Sequence, residues 1–152
     1  MRVHFQRVAR AAVRVDDRVV GQIEHGALAL VGITDGDDYA AAETLADKTM
    51  GLRVFADNAG KMNRSVVDVG GGILAVSQFT LYADTRRGRR PAFTDAAAPD
   101  HARSIYRHYC ESLETAGVTT ARGVFGADMQ IEMVADGPVT ILLEVVPSGS
   151  AS

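Results

Sequence analysis

The sequence predicts an α+β domain in which antiparallel sheets close toward a barrel and two helices pack against them. Short stretches of alternating or wholly apolar side chains recur along the 152 residues, which is typical of strands. Two longer stretches, residues 38–50 and 99–116, carry apolar side chains at helical spacing. The chain length and a hydrophobic content of 47% suit one domain over residues 1–146. The remaining residues, 147–152, predict a disordered tail by composition.

The first half of the chain reads as strands around one helix. Asp16 and Asp17 predict a turn between the first two strands. Asp37 or Asp38 can cap the first helix, and Gly51 is placed to end it. The expected strands in this half cover residues 3–15, 19–23, 27–33 and 52–55.

The second half contains the other helix, which we expect to begin at Pro99 and stop before Gly117. The three glycines at 70–72 predict a tight turn rather than a nucleotide loop, because a strand follows them instead of a helix. The break at residues 136–138 separates two strands, of which the second is expected to be buried. The expected strands in this half cover residues 73–76, 118–121, 129–134 and 139–146.

Composition excludes several classes of protein. The net charge of −3 argues against a protein that binds nucleic acid over its whole surface. No apolar run approaches the ~20 residues of a membrane span, and no signal-peptide pattern opens the chain. Cys110 is the single cysteine and cannot form an internal disulfide, which suits a reducing compartment. We therefore expect a cytoplasmic protein that does not bind membranes.

One dense basic run interrupts this acidic chain, in the segment TRRGRRP. Such a run is most often a solvated loop. Its position shortly after the polar end of a predicted strand also allows it to hold phosphates near a site. The four cations concerned are Arg86, Arg87, Arg89 and Arg90.

The candidate site lies where the apolar strand at residues 73–76 passes directly into uncharged polar residues. If that strand stays regular, Gln78 and Thr80 share a face with Val76 and Tyr82. A buried amide or hydroxyl without a partner costs roughly 1–3 kcal/mol, so this pair indicates either a functional site or the pairing of backbone groups at a strand end.

Two motifs carry a resemblance to a known family. The segment Ser77-Gln78-Phe79-Thr80-Leu81 is similar to the SQ-x-TL signature of D-aminoacyl-tRNA deacylases, the D-tyrosyl-tRNA deacylase family. The segment at residues 136–140 looks like that family's second signature, a Gly-Pro pair near the C-terminus. The likeness covers roughly residues 1–144, and it departs from the family pattern at Ala135, where relatives often carry asparagine.

The resemblance implies an enzyme that hydrolyses the ester of D-aminoacyl-tRNA while rejecting L-aminoacyl substrates. Because steric rejection cannot exclude glycine, which has no side chain, we also expect hydrolysis of glycyl-tRNA mischarged on tRNA-Ala. It assigns the oxyanion donors to the main chain around Phe79 and Thr80. It also implies a homodimer in which Gly137 and Pro138, joined by a cis bond, enter the partner's site, although sequence alone favours a trans bond. The other implied residues are Arg7, which supports the Gly-Pro pair, and the adenosine-pocket residues Phe125, Gly126 and Met129.

Two alternatives stay open at this point. One is a non-catalytic RNA-binding module that uses the arginine run. The other is an esterase or peptidase with Thr80 as nucleophile, although a threonine hydroxyl needs an activating base and no histidine lies near it in sequence. His101 and His108 lie two helical turns apart, and nothing completes a zinc pattern around them, so we predict no metal and no cofactor.

Overall fold

The computed structural model describes residues 1–147. Apart from Pro147, the expected tail at 147–152 lies outside the described residues. The elements in chain order are β1 Arg2–Val15, β2 Arg18–Ile23, β3 Gly26–Gly32, α1 Tyr39–Gly51, β4 Phe55–Ala56, β5 Met62–Arg64, β6 Gly72–Ser77, a 3-10 turn Phe79–Tyr82, α2 Pro99–Thr115, β7 Thr119–Arg122 and β8 Gln130–Glu144.

The main sheet is organised around β1, which pairs antiparallel with β2, β3 and β8. The strand order is β2-β1-β3-β6-β7, with β8 on β1. The edge strands β2 and β7 approach closely, because a Cβ at Gly21 would lie 2.5 Å from the carbonyl oxygen of Arg122. The predicted α+β class, with a sheet that nearly closes as a barrel and two helices, is therefore confirmed.

The sheet is mixed, whereas the sequence predicted antiparallel pairing throughout. β3 pairs parallel with β6, and β6 pairs parallel with β7. The cause is the two helices: α1 lies between β3 and β6 in the chain, and α2 lies between β6 and β7. Each forms part of the long crossover that a parallel pair requires.

The helices cover one face of the sheet and form the larger core with it. Asp38 caps α1, since its Oδ1 accepts the Ala41 N–H at 2.8 Å. Within the core the Tyr109 hydroxyl of α2 donates to Thr49 Oγ1 of α1 at 3.0 Å. The helices are thereby joined by a buried hydrogen bond as well as by apolar contacts.

Asp37, the other candidate cap, has a different position. It is 2% exposed, and its Oδ1 accepts from the Met1 ammonium at 2.6 Å. Its Oδ2 accepts the Thr34 N–H at 2.8 Å. This buried ion pair ties the start of β1 to the loop before α1.

The predicted strand 73–76 is confirmed within β6, whereas the predicted strand 52–55 is present only at its last residue, in β4. β6 ends at Ser77, and the residues after Gln78 form the 3-10 turn instead of continuing the strand. β8 runs through the predicted break, and its register against β1 shifts between Gln6 and Val8 and again between Val8 and Arg10. Its last part is not buried within the chain, because Leu142 is 57% exposed while the alternate side chains pack on the core. None of the helices in the described part of the chain is both long and apolar enough to span a bilayer.

Candidate functional site

A pocket of about 650 Å³ opens where β6 ends. It unites two predicted groups that lie far apart in sequence, because the parallel pairing of β6 with β7 brings the segment after each strand to the same edge. The predicted residues that line it are Ser77, Gln78, Phe79, Phe125, Gly126 and Met129.

The 3-10 turn at Phe79–Tyr82 presents two backbone donors. The Gln78 N–H makes the last ladder bond, to the Val31 carbonyl at 2.7 Å, and the Leu81 N–H bonds back to Gln78. Between these two residues are Phe79 and Thr80, whose N–H groups have no hydrogen-bond acceptor within the described residues. The first N–H groups of a helical turn have no partner inside it, so the turn leaves two adjacent donors free for a ligand.

The side chains of this pocket are uncharged. Every residue that lines it among residues 1–147 is apolar, or is the serine or glutamine of the first motif. The Gln78 amide donates to the Thr80 hydroxyl, which accounts for the one contact found for that hydroxyl in the described part of the chain. Thr80 itself is exposed and stands at the side of the pocket rather than in its lining.

Phe93 is a pocket residue that the sequence analysis did not identify. Its ring meets that of Phe79 edge to face, with the centroids 5.0 Å apart. The small-residue run 96–98 before α2 forms another wall, together with Pro99 and Ala102. A run of alanines ahead of a helix is a sequence signal for close approach, whereas nothing near Phe93 in the sequence pointed to this contact.

Phe125 and Met129 form the wall that follows β7. The Gly123 N–H bonds to the Ala75 carbonyl at 2.9 Å and so extends the β6–β7 ladder to this segment. A Cβ at Gly123 would lie 2.8 Å from Met129 Sδ, so the thioether packs directly on the backbone. The guanidinium of Arg103 lies 5.0 Å from the Phe125 ring centroid. The result is an apolar and aromatic surface suited to a flat ring.

The Gly137–Pro138 peptide bond is cis, in agreement with the resemblance and against the ordinary preference of X-Pro bonds. Arg7 lies against this element: its Nε donates to the Asp136 carbonyl at 3.0 Å and its Nη1 to the Val54 carbonyl at 2.5 Å. The Gly-Pro pair does not line the pocket of its own chain within the described residues.

The arginine run forms the tip of a loop between Asp84 and Ala92, which are joined by backbone hydrogen bonds. Arg86 binds the Asp84 carboxylate at 2.8 Å, and this bond lowers the pKa of Asp84 to about 2. The other three cations of the run are exposed, and no ion pair or hydrogen bond is found for them in the described part of the chain. They are Arg87, Arg89 and Arg90.

Two observations concern groups outside this pocket. Cys110 is buried in α2, and burial raises the pKa of its thiol to about 11. Among residues 1–147, no cluster of three or more histidine, cysteine, aspartate or glutamate side chains is arranged to hold a metal ion.

Comparisons with known proteins show which family the chain resembles. The sequence model of a family described as D-Tyr-tRNA(Tyr) deacylase matches residues 4–144. A D-aminoacyl-tRNA deacylase of Rhodopirellula baltica is 54% identical over 145 residues, covering 95% of this chain and all of the relative. That of Deinococcus radiodurans is 51% identical over 145 residues, with the same coverage.

Two solved structures share the fold. The c-Myc DNA unwinding element binding protein is 38% identical, with a TM-score of 0.91 over 96% of this chain and 99% of that one. A probable eukaryotic D-amino acid tRNA deacylase is 17% identical, with a TM-score of 0.81 over 95% and 98% of the two chains. At that identity the second likeness concerns the fold alone.

The matched family and the relatives named as deacylases define a hydrolase. Since the family model spans nearly the whole chain and relatives exceed 50% identity, the protein belongs to the D-Tyr-tRNA(Tyr) deacylase family.

Proposed function

We propose that the protein hydrolyses the ester bond of D-aminoacyl-tRNA and releases the free D-amino acid and the tRNA. The observation that carries this proposal is the pair of unpartnered N–H groups at Phe79 and Thr80, beside a pocket lined by uncharged side chains. Such a site suits a reaction in which negative charge develops on a carbonyl oxygen.

The chemistry follows from these donors. A water oxygen attacks the carbonyl carbon of the ester. The carbonyl oxygen becomes the oxyanion and accepts hydrogen bonds from the two N–H groups. The bond from the carbonyl carbon to the ribose oxygen then breaks, and that ribose oxygen leaves with a proton that the water supplies. Because the lining side chains offer no ionisable group within residues 1–147, we assign assistance of the water to the neighbouring ribose hydroxyl of the substrate.

The terminal adenosine of the tRNA packs against the wall formed by Phe125, Gly126 and Met129. An aromatic ring and a thioether give a purine an extended apolar contact, and base–aromatic stacking contributes about 1–3 kcal/mol. With the adenosine there, the ester linkage of the same nucleotide lies toward Ser77, Gln78 and Phe79, and this proposal is supported by their sharing one pocket with that wall.

The active assembly is a homodimer in which each site receives Gly137 and Pro138 from the partner. Two observations support this. The Gly-Pro element lies outside its own chain's pocket, and β8, the strand that carries it, exposes a row of large apolar side chains. The exposed members on β8 are Ile131, Met133, Val134 and Leu142.

Chiral selection comes from the backbone of this Gly-Pro element. Mirror-image amino acids differ only in which substituent points where, so a rigid wall at the α-carbon can reject the L form. Arg7 stabilises that wall through its bond to the Asp136 carbonyl. Glycine has no side chain to collide with the wall, so glycyl-tRNA mischarged on tRNA-Ala is also a substrate.

The free cations of the arginine run hold the phosphates of the acceptor end. Clustered exposed arginines that have no carboxylate partner among residues 1–147 are available for such contacts. We further propose that the protein works in the cytoplasm, where aminoacyl-tRNA is made and used.

Single-turnover hydrolysis of matched D-tyrosyl-tRNA and L-tyrosyl-tRNA tests the proposal, with glycyl-tRNA-Ala as a third substrate. The proposal requires release of D-tyrosine and glycine and retention of the L-tyrosyl ester. Equal rates for the D and L substrates would refute the assignment of chiral selection.

The same assay separates the two alternatives. An RNA-binding module would retain tRNA on a filter without releasing amino acid. A threonine-nucleophile esterase would cleave small esters without RNA and lose that activity in Thr80→Ala. The contact of the Thr80 hydroxyl with the Gln78 amide, rather than with a base, argues against Thr80 as a nucleophile.

A further inference from the structure

Arg2, at the start of β1, makes three contacts around the 3-10 turn. Its Nη1 donates to the Leu81 carbonyl at 2.9 Å, and its Cζ lies 4.5 Å from the Tyr82 ring centroid. Its Nε donates to Glu144 Oε1 at 2.6 Å. One side chain therefore joins the turn to β8.

The contact with Leu81 is at the opposite end of the turn from the free donors. The N–H groups of Phe79 and Thr80 open the turn, whereas the Leu81 carbonyl belongs to its last residues. Terminal carbonyls of a helical turn need external donors, and a cation is favoured there. Arg2 supplies both the donor and the charge.

The rest of the turn packs against β3. A Cβ at Gly32 would lie 2.9 Å from Leu81 Cβ and 3.1 Å from the Gln78 carbonyl oxygen, so the turn rests directly on the β3 backbone. The Gln78 N–H bonds to the Val31 carbonyl at the other end. With these two contacts fixed, Arg2 completes a three-point attachment of the turn.

We propose that Arg2 is a positioning residue: through the Leu81 carbonyl it holds the 3-10 turn so that the Phe79 and Thr80 N–H groups point at the reacting ester. Glu144 fixes the Arg2 side chain, and since Glu144 ends β8, the donors of one site are tied to the strand that carries Gly137–Pro138. This inference rests on the proposed function and adds the group that orients its donors.

The test uses Arg2→Met, which keeps an unbranched apolar side chain but removes the donor and the charge. Single-turnover hydrolysis of D-tyrosyl-tRNA is measured against enzyme concentration, which separates the rate constant from the affinity. A displacement of about 1 Å in such an arrangement costs about 10²-fold in rate. We expect the rate constant to fall by about 10- to 100-fold, with little change in affinity, and Arg2→Lys to recover part of the loss.

Arg14→Met is the matched control. Arg14 also lies on β1 and faces a glutamate of β8, with its Nε 3.6 Å from Glu132 Oε1, but this pair lies at the other end of the strand. The Arg14→Met substitution should leave the rate constant unchanged. Equal rate constants in Arg2→Met and Arg14→Met, or a loss in Arg2→Met confined to affinity, would overturn the proposal.

A second measurement tests the role of Arg2 without measuring hydrolysis. The amide signals of Phe79 and Thr80 in ¹⁵N–¹H NMR spectra should shift in Arg2→Met and stay unchanged in Arg14→Met. If Arg2→Met does not fold, Glu144→Gln replaces it and should move the same two signals. Failure of the wild-type protein to hydrolyse D-tyrosyl-tRNA would contradict the proposed function. Unchanged amide signals of Phe79 and Thr80 in Arg2→Met would instead contradict the role of Arg2.

Discussion

Arg7 and Gly137 are in such close contact that the glycine has no room for a side chain. A Cβ on Gly137 would lie 2.9 Å from Arg7 Nη2 and equally close to Val139 Cγ2. Its φ of +121° is also one that L side chains rarely adopt. The arginine and the Gly-Pro element are therefore fitted to each other, and the glycine is required for contact as well as for backbone conformation.

The first prediction is that Gly137→Ala displaces Arg7 and weakens both stability and the rejection of L-tyrosyl-tRNA. The strained φ alone costs about 1–3 kcal/mol, and the lost contact adds to it. Gly60→Ala is the control, because Gly60 also has positive φ (+76°) but open space around it. Urea unfolding should show a larger loss for Gly137→Ala, and equal losses would contradict the contact argument.

The second prediction concerns the apolar face of β8. Leu142→Asp places a charge on a side chain that is 57% exposed in one chain, and it should dissociate the proposed dimer in sedimentation experiments. Val20→Asp, at a position on β2 that is 41% exposed, should leave the assembly unchanged. A Leu142→Asp protein that sediments as the wild type does would show that this face does not mediate assembly.

The third prediction concerns the free arginines of the loop. Replacing Arg87, Arg89 and Arg90 by glutamine should weaken tRNA binding and reduce the slope of log K against log salt by about 2 to 3. A protein in which the exposed Arg10, Arg18 and Lys48 are replaced instead has the same net charge. If both triple variants lose the same affinity, general charge rather than the loop accounts for binding.

The fourth prediction is a loss of stability at alkaline pH. Burial raises the pKa of Cys110 from an ordinary 9.0 to about 11, and burial also raises the pKa of Tyr106 and Tyr109. The unfolded chain loses these protons first, so the contribution of these three groups to the free energy of unfolding is constant well below pH 9 and falls as the pH rises above 9. The slope is at most about 1.4 kcal/mol per pH unit for each group.

Cys110→Ala isolates the cysteine's part of this effect. The variant should show a shallower decline between pH 9 and pH 11 than the wild type in urea unfolding. In the native wild type, the thiol should not react with a disulfide reagent at pH 8, because it is buried and protonated. Rapid native-state reaction would mean that α2 opens locally.

Much of the fold followed from local patterns in the sequence. The turn at Asp16 and Asp17 has positive φ at both residues, as expected of side chains that tolerate it. The helices begin and end close to their predicted bounds because the Asp38 cap of α1, Pro99 at the start of α2 and the apolar stripes are local signals. The parallel pairings of β6 were missed because strand order depends on how the helices cross over, which no local pattern encodes.

The site shows the same division. Ser77, Gln78 and Phe79 of the first motif line the pocket, but the strand ends at Ser77 and does not continue regularly through Thr80. The turn depends on contacts with Arg2 and Gly32, which are far away in sequence. Likewise, the apolar pattern at residues 139–146 predicted burial, but an apolar pattern does not distinguish side chains on the core from exposed side chains such as that of Leu142.

The most direct test of catalysis by backbone donors compares Phe79→Pro with Phe79→Ala in single-turnover hydrolysis of D-tyrosyl-tRNA. Both variants lack the ring, but only the proline lacks the N–H. The backbone should accept a proline at position 79, because Phe79 is the first residue of the turn. A proline disfavours helical angles in the residue before it, and Gln78 has φ −143° and ψ 84°, which are not helical. We predict that Phe79→Pro is slower than Phe79→Ala by about 10²- to 10³-fold. Equal rates for the two folded variants would contradict the account.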